Sequence, residues 1–281
     1  MSSTRDVLRF PESDRAQIDD YLPSKSSIAA AHSKSIPYTT LTFATSMDSQ
    51  ITMSPGIGSP LSGPASKAMT HYLRSKHDAI LIGVNTAIAD NPNLNCRIEG
   101  VGGYGGGKNL KGQPRPVIID PKGRWEFGED SKIFGLVKDG RGKAPWIITA
   151  KQEDEIEFEG RELLRAAGGK LIYLSPDQEG RFSWQDILEA LWKEGIESLM
   201  IEGGAGIIND MLAEGQGFID RVIVTIAPVW LGKGGVTVLP ERENPGKETF
   251  RLRGVKWIPL GEDVVCCGRV TEVQRESPVM L

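Results

Sequence analysis

Glu202 is followed by a glycine turn, Gly203-Gly204-Ala205-Gly206, set between an apolar run, Ser198 to Ile201, and an amphipathic one, Ile207 to Leu212. A strand that passes through glycines into a helix is suited to receive an anion. Glycines let the backbone approach without side-chain obstruction, and the first turn of a helix offers unpaired N–H groups and a partial positive charge. Glu202 would repel a phosphate, so it is expected to face a second ligand, the substrate. Taken alone, the same junction also describes a tight packing turn.

A second junction bears on the first. Leu81-Ile82-Gly83-Val84 leads into Thr86, Asp90, Pro92, Leu94 and Arg97 with the spacing TxxxDxPxLxxR. Open α/β sheets place ligands at the carboxyl ends of their strands, and a hydroxyl, a carboxylate and a guanidinium supply three kinds of polar contact there. Arg74 lies before this strand and Arg97 after it, and each can fork onto a phosphate. The plainer readings are a surface salt bridge for each arginine and a capped helical turn for the loop. Asp48, in the stretch Ala44-Thr45-Ser46-Met47-Asp48, either caps a turn or hydrogen-bonds a heterocycle or ribose.

These residues need a sheet to bring them together. Tyr38 to Ala44 reads as a buried strand, and Ala79 to Val84, apolar throughout, as a parallel strand covered on both faces. Further strands are expected at 116–120, 145–149, 170–174, 198–201, 220–227, 250–258 and 264–273. A helix after Ser62 carries Pro64 in its first turn and an Ala65, Ala68, Met69, Tyr72, Leu73 stripe. Two more are expected at 161–167 and at 184–194, the latter with a Ser183/Asp186 capping box. Alternating strands and helices with a β-rich tail predict an α/β domain over residues 36–281, its sheet largely parallel with antiparallel strands at the end. Residues 1–35 read as a polar arm, disordered or loosely docked, and 99–113 as a flexible glycine-rich insertion.

Several functions are disfavoured. The chain of 281 residues carries a net charge of −4, so neither nucleic acid nor an anionic membrane is an expected partner. No run reaches the ~20 apolar residues of a membrane helix. Gly102 to Lys108 fits GxxxxGK, but Asn109 follows, no strand precedes it and prolines stand where a helix should start. No strand is followed by the dinucleotide fingerprint GxGxxG. Cys96, Cys266 and Cys267 have no metal-ligand spacing and read as reduced cytoplasmic thiols. His32, His71 and His77 are expected at the surface, without triad or metal partners.

Four segments in this order, SMDSQI, TxxxDxPxLxxR, IEGGAGIINDML and DRVIVTIAP, resemble the riboflavin-biosynthesis reductase family, in its stand-alone fungal and archaeal form. The likeness runs over about residues 37–273. It implies a dihydrofolate-reductase-like fold, NADPH as hydride donor and a cytoplasmic homodimer. It also implies reduction of 2,5-diamino-6-ribosylamino-4(3H)-pyrimidinone 5′-phosphate to its ribitylamino counterpart. By the same resemblance Ala44, Thr86 and Asp90 contact the cofactor, and the turn from Gly204 into the helix holds its phosphate, with Gly203, Ala205 and Gly206 beside it. Arg74, Leu94, Arg97 and Glu202 contact the phosphorylated pyrimidine, with Asp48 on the same side, and Glu202 is the candidate catalytic group for proton movement. Ser49 stands where many relatives have glycine, and the zinc deaminase half of bifunctional bacterial relatives is absent, with its HxE and PCxxC signature. The competing expectations are a reductase of the same fold acting on the deaminated pyrimidinedione or a pterin, and a non-catalytic nucleotide-binding regulator.

Overall fold

The computed structural model describes residues 7–54, 61–213, 216–241 and 250–270. The run rich in β-branched and aromatic residues from Tyr38 forms β1 (Tyr38–Thr45), whose first five residues are buried. It is followed by β2 (Gln50–Thr52), β3 (Ala79–Gly83), β4 (Arg115–Ile119), β5 (Trp146–Thr149) and β6 (Lys170–Tyr173). The chain then adds β7 (Ser198–Gly203), β8 (Arg221–Ile226), β9 (Val236–Thr237), β10 (Leu252–Leu260) and β11 (Asp263–Val270). Nine of these strands make one sheet in the order β10-β11-β8-β1-β7-β3-β4-β5-β6, and β2 pairs with β9 apart from it. From β8 to β6 every pairing is parallel, whereas β11 is antiparallel to β8 and β10 to β11. The expected mixed, largely parallel sheet with antiparallel C-terminal strands is the observed one. Residues 271–273 of the last expected strand lie outside the described residues.

The helices are α1 (Glu12–Ile18), α2 (Lys25–His32), α3 (Pro64–Arg74), α4 (Val84–Asp90), α5 (Lys132–Lys138), α6 (Phe158–Ala166), α7 (Trp184–Lys193) and α8 (Ala205–Ala213). The α3 helix starts with Pro64 at a position where a missing N–H costs nothing, and its apolar stripe buries Met69, Tyr72 and Leu73. At α7 the Asp186 N–H donates to Ser183 Oγ at 3.1 Å, the expected cap. Alternation along the strands sends Leu81, Leu199 and Ile201 to one face, against α7 and α8. Met200, Ile223 and Val265 meet α1 and α3, and Ile80, Ile82 and Ile118 complete a third cluster with Phe134 of α5 and Leu164 of α6. Among the described residues no helix is long and apolar enough to cross a membrane.

Two sequence expectations are corrected. Residues 7–35 are not a loose arm: Phe10, Ile18 and Leu22 are buried in the cluster under α3, and the Phe10 ring lies 5.3 Å from that of Tyr72. Phe10 stands before α1, Ile18 is its last residue and Leu22 lies beyond it, so no apolar stripe within one helix signalled them. The glycine-rich insertion is likewise a built loop, with Val101, Tyr104 and Gln113 buried and backbone hydrogen bonds from Gly102 to Lys111 and from Gly103 to Gly107. Glycines at positive φ, such as Gly103 and Gly107, turn the chain tightly enough to satisfy its own backbone. A short helix, α5, was not legible.

Candidate functional site

The carboxyl ends of β1, β3 and β7 lie side by side at the middle of the sheet, because β7 is hydrogen-bonded between the other two. Along β3 the register passes from Leu81 opposite Ile201 to Ile82 opposite Gly203, so Glu202 is the extra residue of a bulge. Such a bulge re-aims a side chain. Glu202 meets Arg74, the last residue of α3, in a two-pronged contact: Arg74 Nε donates to Oε1 at 2.7 Å and Nη2 to Oε2 at 2.6 Å. Arg74 Nη1 donates to the Asn95 carbonyl at 3.0 Å, joining the pair to the loop after α4. The side chains are 13% and 16% exposed. Burial works against the Arg74 charge, and the Glu202 carboxylate more than offsets it, so the guanidinium pKa is raised.

One residue further on, the chain turns. Gly203 has φ of +98°, and a Cβ there would come within 2.6 Å of Ile208, so no other residue fits without displacement. The Gly204 N–H donates to Thr86 Oγ1 at 2.8 Å, which ties the start of α8 to α4. A Cβ on Gly204 would also meet that hydroxyl at 2.8 Å, whereas one on Gly206 would meet nothing within 4 Å. The open approach to the first turn of α8 is therefore at Gly206. Together with the first-turn N–H groups this makes a cradle suited to a phosphate.

The RibD C-terminal domain model matches residues 37–266, most of the chain. The chain belongs to the RibD C-terminal domain family. The chain is 38% identical over 274 residues to the Debaryomyces hansenii protein named 2,5-diamino-6-ribosylamino-4(3H)-pyrimidinone 5′-phosphate reductase, covering 94% of this chain and 99% of that one. It is 32% identical to the Saccharomyces cerevisiae protein of the same name, over 91% and 94%. Among solved structures it resembles the yeast riboflavin biosynthesis reductase Rib7, with a TM-score of 0.70 and 31% identity over 92% of this chain and 100% of that one. Acinetobacter baumannii RibD shares the fold, with a TM-score of 0.68 at 23% identity, over 86% of this chain and 60% of that one.

Within the RibD C-terminal domain the residues singled out from sequence take different places. Thr86 and the 203–206 turn are joined directly, and Arg74 and Glu202 are joined directly. Ala44 is half-buried near the end of β1, opposite Thr225 of β8. Asp90 is exposed at the carboxyl end of α4, where its carbonyl accepts from Lys132 Nζ at 3.3 Å. Leu94 is 2% exposed and packs in the cluster of Ile80 and Ile82, at φ of +50°.

Asp48 is a turn-holding residue. Its carboxylate accepts from the Gly232 N–H at 2.8 Å, the Leu231 N–H at 3.1 Å, Ser46 Oγ at 2.6 Å and Gln50 Nε2 at 2.9 Å. These donors, Ser46 first, hold its pKa well below the usual carboxylate range. The capping reading is the observed arrangement, and both oxygens are engaged by protein. Ser49 next to it has φ of +62°, the conformation for which glycine is suited.

Two of the three histidines depart from the surface expectation. His77 is buried, with Nδ1 donating to the Leu73 carbonyl at 2.8 Å and Nε2 accepting from Thr40 Oγ1 at 2.9 Å. Burial pushes its pKa down to about 4. His71 is 7% exposed, and its Nδ1 accepts the Arg97 N–H at 3.1 Å. Burial, with Arg74, Arg97 and Lys67 near, pushes it down to about 2. Sequence gave no signal for this contact, since it joins two positions whose proximity depends on α3 packing beside the 91–98 loop. Among the described residues no group of three or more side chains could hold a metal ion.

Proposed function

We propose that the chain catalyses NADPH-dependent reduction of 2,5-diamino-6-ribosylamino-4(3H)-pyrimidinone 5′-phosphate to the ribitylamino product. The observation that carries this reading is the one-residue boundary at the end of β7. Glu202 turns toward α3 and the 91–98 loop, whereas Gly203 to Gly206 open α8 beside Thr86. Two ligands can therefore meet at one strand end without sharing binding groups. The names of the relatives, at up to 38% identity over nearly their full length, supply the chemistry.

A bound nicotinamide supplies the hydride. The chain orients both ligands and keeps water away from the ribosylamine C1′, which accepts hydride once the ribose ring has opened to an imine-like form. The first turn of α8, open at Gly206, receives a cofactor phosphate, with Thr86 fixing the turn. Arg97 takes the substrate phosphate. Arg74, first read as a second phosphate ligand, has its fork closed on Glu202 and serves to hold that carboxylate. Held by two guanidinium hydrogen bonds, Glu202 presents its carboxylate as an acceptor for substrate amino or hydroxyl groups. The family likeness also supports a cytoplasmic homodimer.

The test is loss of absorbance at the reduced-nicotinamide band. NADPH is mixed with the chain and either the diamino ribosylamine phosphate or its deaminated counterpart. Oxidation with the diamino compound in preference to the other is the expected result. Oxidation with the deaminated compound alone, or NADPH binding with no substrate-dependent oxidation, overturns it. Sedimentation equilibrium at the mass of one chain would overturn the dimer.

A further inference from the structure

The dipeptide Cys96-Arg97 is held by all four of its backbone polar groups. The Cys96 N–H donates to Gln113 Oε1 at 2.8 Å, and the Cys96 carbonyl accepts from Gln113 Nε2 at 2.7 Å. The Arg97 N–H donates to His71 Nδ1 at 3.1 Å, and the Arg97 carbonyl accepts from the Leu8 N–H at 2.9 Å. The side chain of Cys96 adds a fifth tie, its thiol donating to the His71 carbonyl at 2.9 Å, and burial pushes that thiol up to about 11, so it stays a donor.

The partners come from three segments far apart in the chain: the N-terminal arm, α3 and the end of the glycine-rich loop. Gln113 is 1% exposed and makes a third hydrogen bond, from Nε2 to the Gly102 carbonyl at 2.9 Å. It thereby locks the glycine-rich loop to the dipeptide. Leu8 forms an isolated parallel bridge with Ile98, and the Glu99 N–H returns a bond to the Leu8 carbonyl at 3.0 Å. A loop outside secondary structure ordinarily leaves some of its backbone to water. Here none of the four groups is left to it, and three of the bonds need buried polar side chains.

We infer that Gln113, His71 and Leu8 form a clamp on Cys96-Arg97 that positions the Arg97 guanidinium for the substrate phosphate. The inference rests on the assignment of Arg97 to that phosphate. The clamp is a positioning device and none of its three members touches substrate. His71 is suited to it because only a neutral imidazole can accept at Nδ1. The device gives the N-terminal arm and the glycine-rich loop a common role. Both act on the geometry of one arginine, since a small misplacement of a phosphate ligand is amplified in binding.

The test compares Gln113→Leu, His71→Leu, His71→Asn and Leu8→Pro with Arg97→Ala. Asn keeps an acceptor where Nδ1 stands, Leu removes it, and Pro removes the Leu8 N–H at the outer edge of the clamp together with the partly buried Leu8 side chain. The readouts are KM and kcat for the diamino substrate, the dissociation constant of the ribitylamino product without cofactor, and that of NADPH alone. The expected result is a rise of about tenfold in substrate KM and product dissociation constant for Gln113→Leu and His71→Leu, as loss of one or two buried hydrogen bonds implies. NADPH affinity stays within about twofold, and His71→Asn recovers most of the loss. Should either Leu variant fail to fold, Leu8→Pro carries the test with an expected rise of several-fold. If Arg97→Ala raises KM and the clamp variants do not, the clamp is refuted and the phosphate assignment stands. If Arg97→Ala itself leaves substrate and product binding unchanged, the phosphate assignment is refuted. A parallel fall in NADPH and product affinity reports general loosening and also refutes the clamp.

Discussion

Arg74 and Glu202, 128 residues apart in the chain, are joined by two parallel hydrogen bonds of 2.7 and 2.6 Å at the end of β7. The pair fixes a carboxylate where the substrate is expected. Removing one partner from a nearly buried pair leaves the other charge uncompensated, at a cost of about 3 kcal/mol. Arg74→Ala should therefore lower the denaturation midpoint. It should also weaken substrate, since the carboxylate loses the two hydrogen bonds that hold it in place. Glu202→Gln should leave NADPH binding intact and weaken substrate; unchanged turnover and substrate affinity would refute its role.

The two glycines of the α8 turn should respond differently. Gly204 has Thr86 Oγ1 in the place of its missing Cβ, so Gly204→Val disturbs the protein as well as any ligand. Gly206 faces open space, and an acidic residue in the first turn of a helix is tolerated or slightly stabilising. Gly206→Asp should keep the melting temperature and weaken NADPH about tenfold or more by repelling its phosphate. Fluorescence titration of NADPH against both variants is the check.

Stability should fall in mild acid. The folded pKa values of His71, about 2, and His77, about 4, lie below the ordinary histidine value, so the unfolded chain binds more protons once the pH drops below it. Their contribution is complete above about pH 6.5 and is lost as pH falls from there toward the folded values. At pH 5 each should cost about 2 kcal/mol relative to neutral pH. Urea denaturation at both pH values measures the difference, and His71→Asn should reduce it by about half.

Ser49 occupies a left-handed conformation between Asp48 and β2, at φ of +62°. Ser49→Gly should relieve this at some entropic cost in the unfolded chain, a net gain of about 0.5–1 kcal/mol. A lower midpoint in chemical denaturation would contradict it.

Phe10 provides a check on the N-terminal arm. It is 2% exposed against Tyr72 under α3, so Phe10→Ala should cost about 3 kcal/mol, the scale of a buried aromatic truncation. A loosely docked arm would give almost no change. Thermal or chemical unfolding of the full chain decides between them.

The strands were legible because parallel strands covered on both faces are continuous apolar runs, as in Ala79 to Ile82. The glycine turn was legible because its conformation requires glycine at 203, whatever surrounds it. The N-terminal helices were not, since of Phe10, Ile18 and Leu22 only Ile18 lies within a helix, so no apolar stripe marks one. The surface reading of His71 failed for a related reason. Whether a histidine on α3 meets solvent or a backbone N–H depends on what packs there.

The sequence by itself determined the order of strands and helices, the turn after β7 and the set of polar residues available at the strand ends. These follow from local chemistry: hydrophobic period, glycine conformations and helix starts. Only the tertiary structure decided how those polar residues are used. Arg74 pairs with Glu202, Asp48 clasps residues 231–232, and Leu94 packs into the core. Each outcome depends on a contact between positions distant in the chain, and a buried charge or backbone group takes whichever partner the packed sheet brings within hydrogen-bond reach.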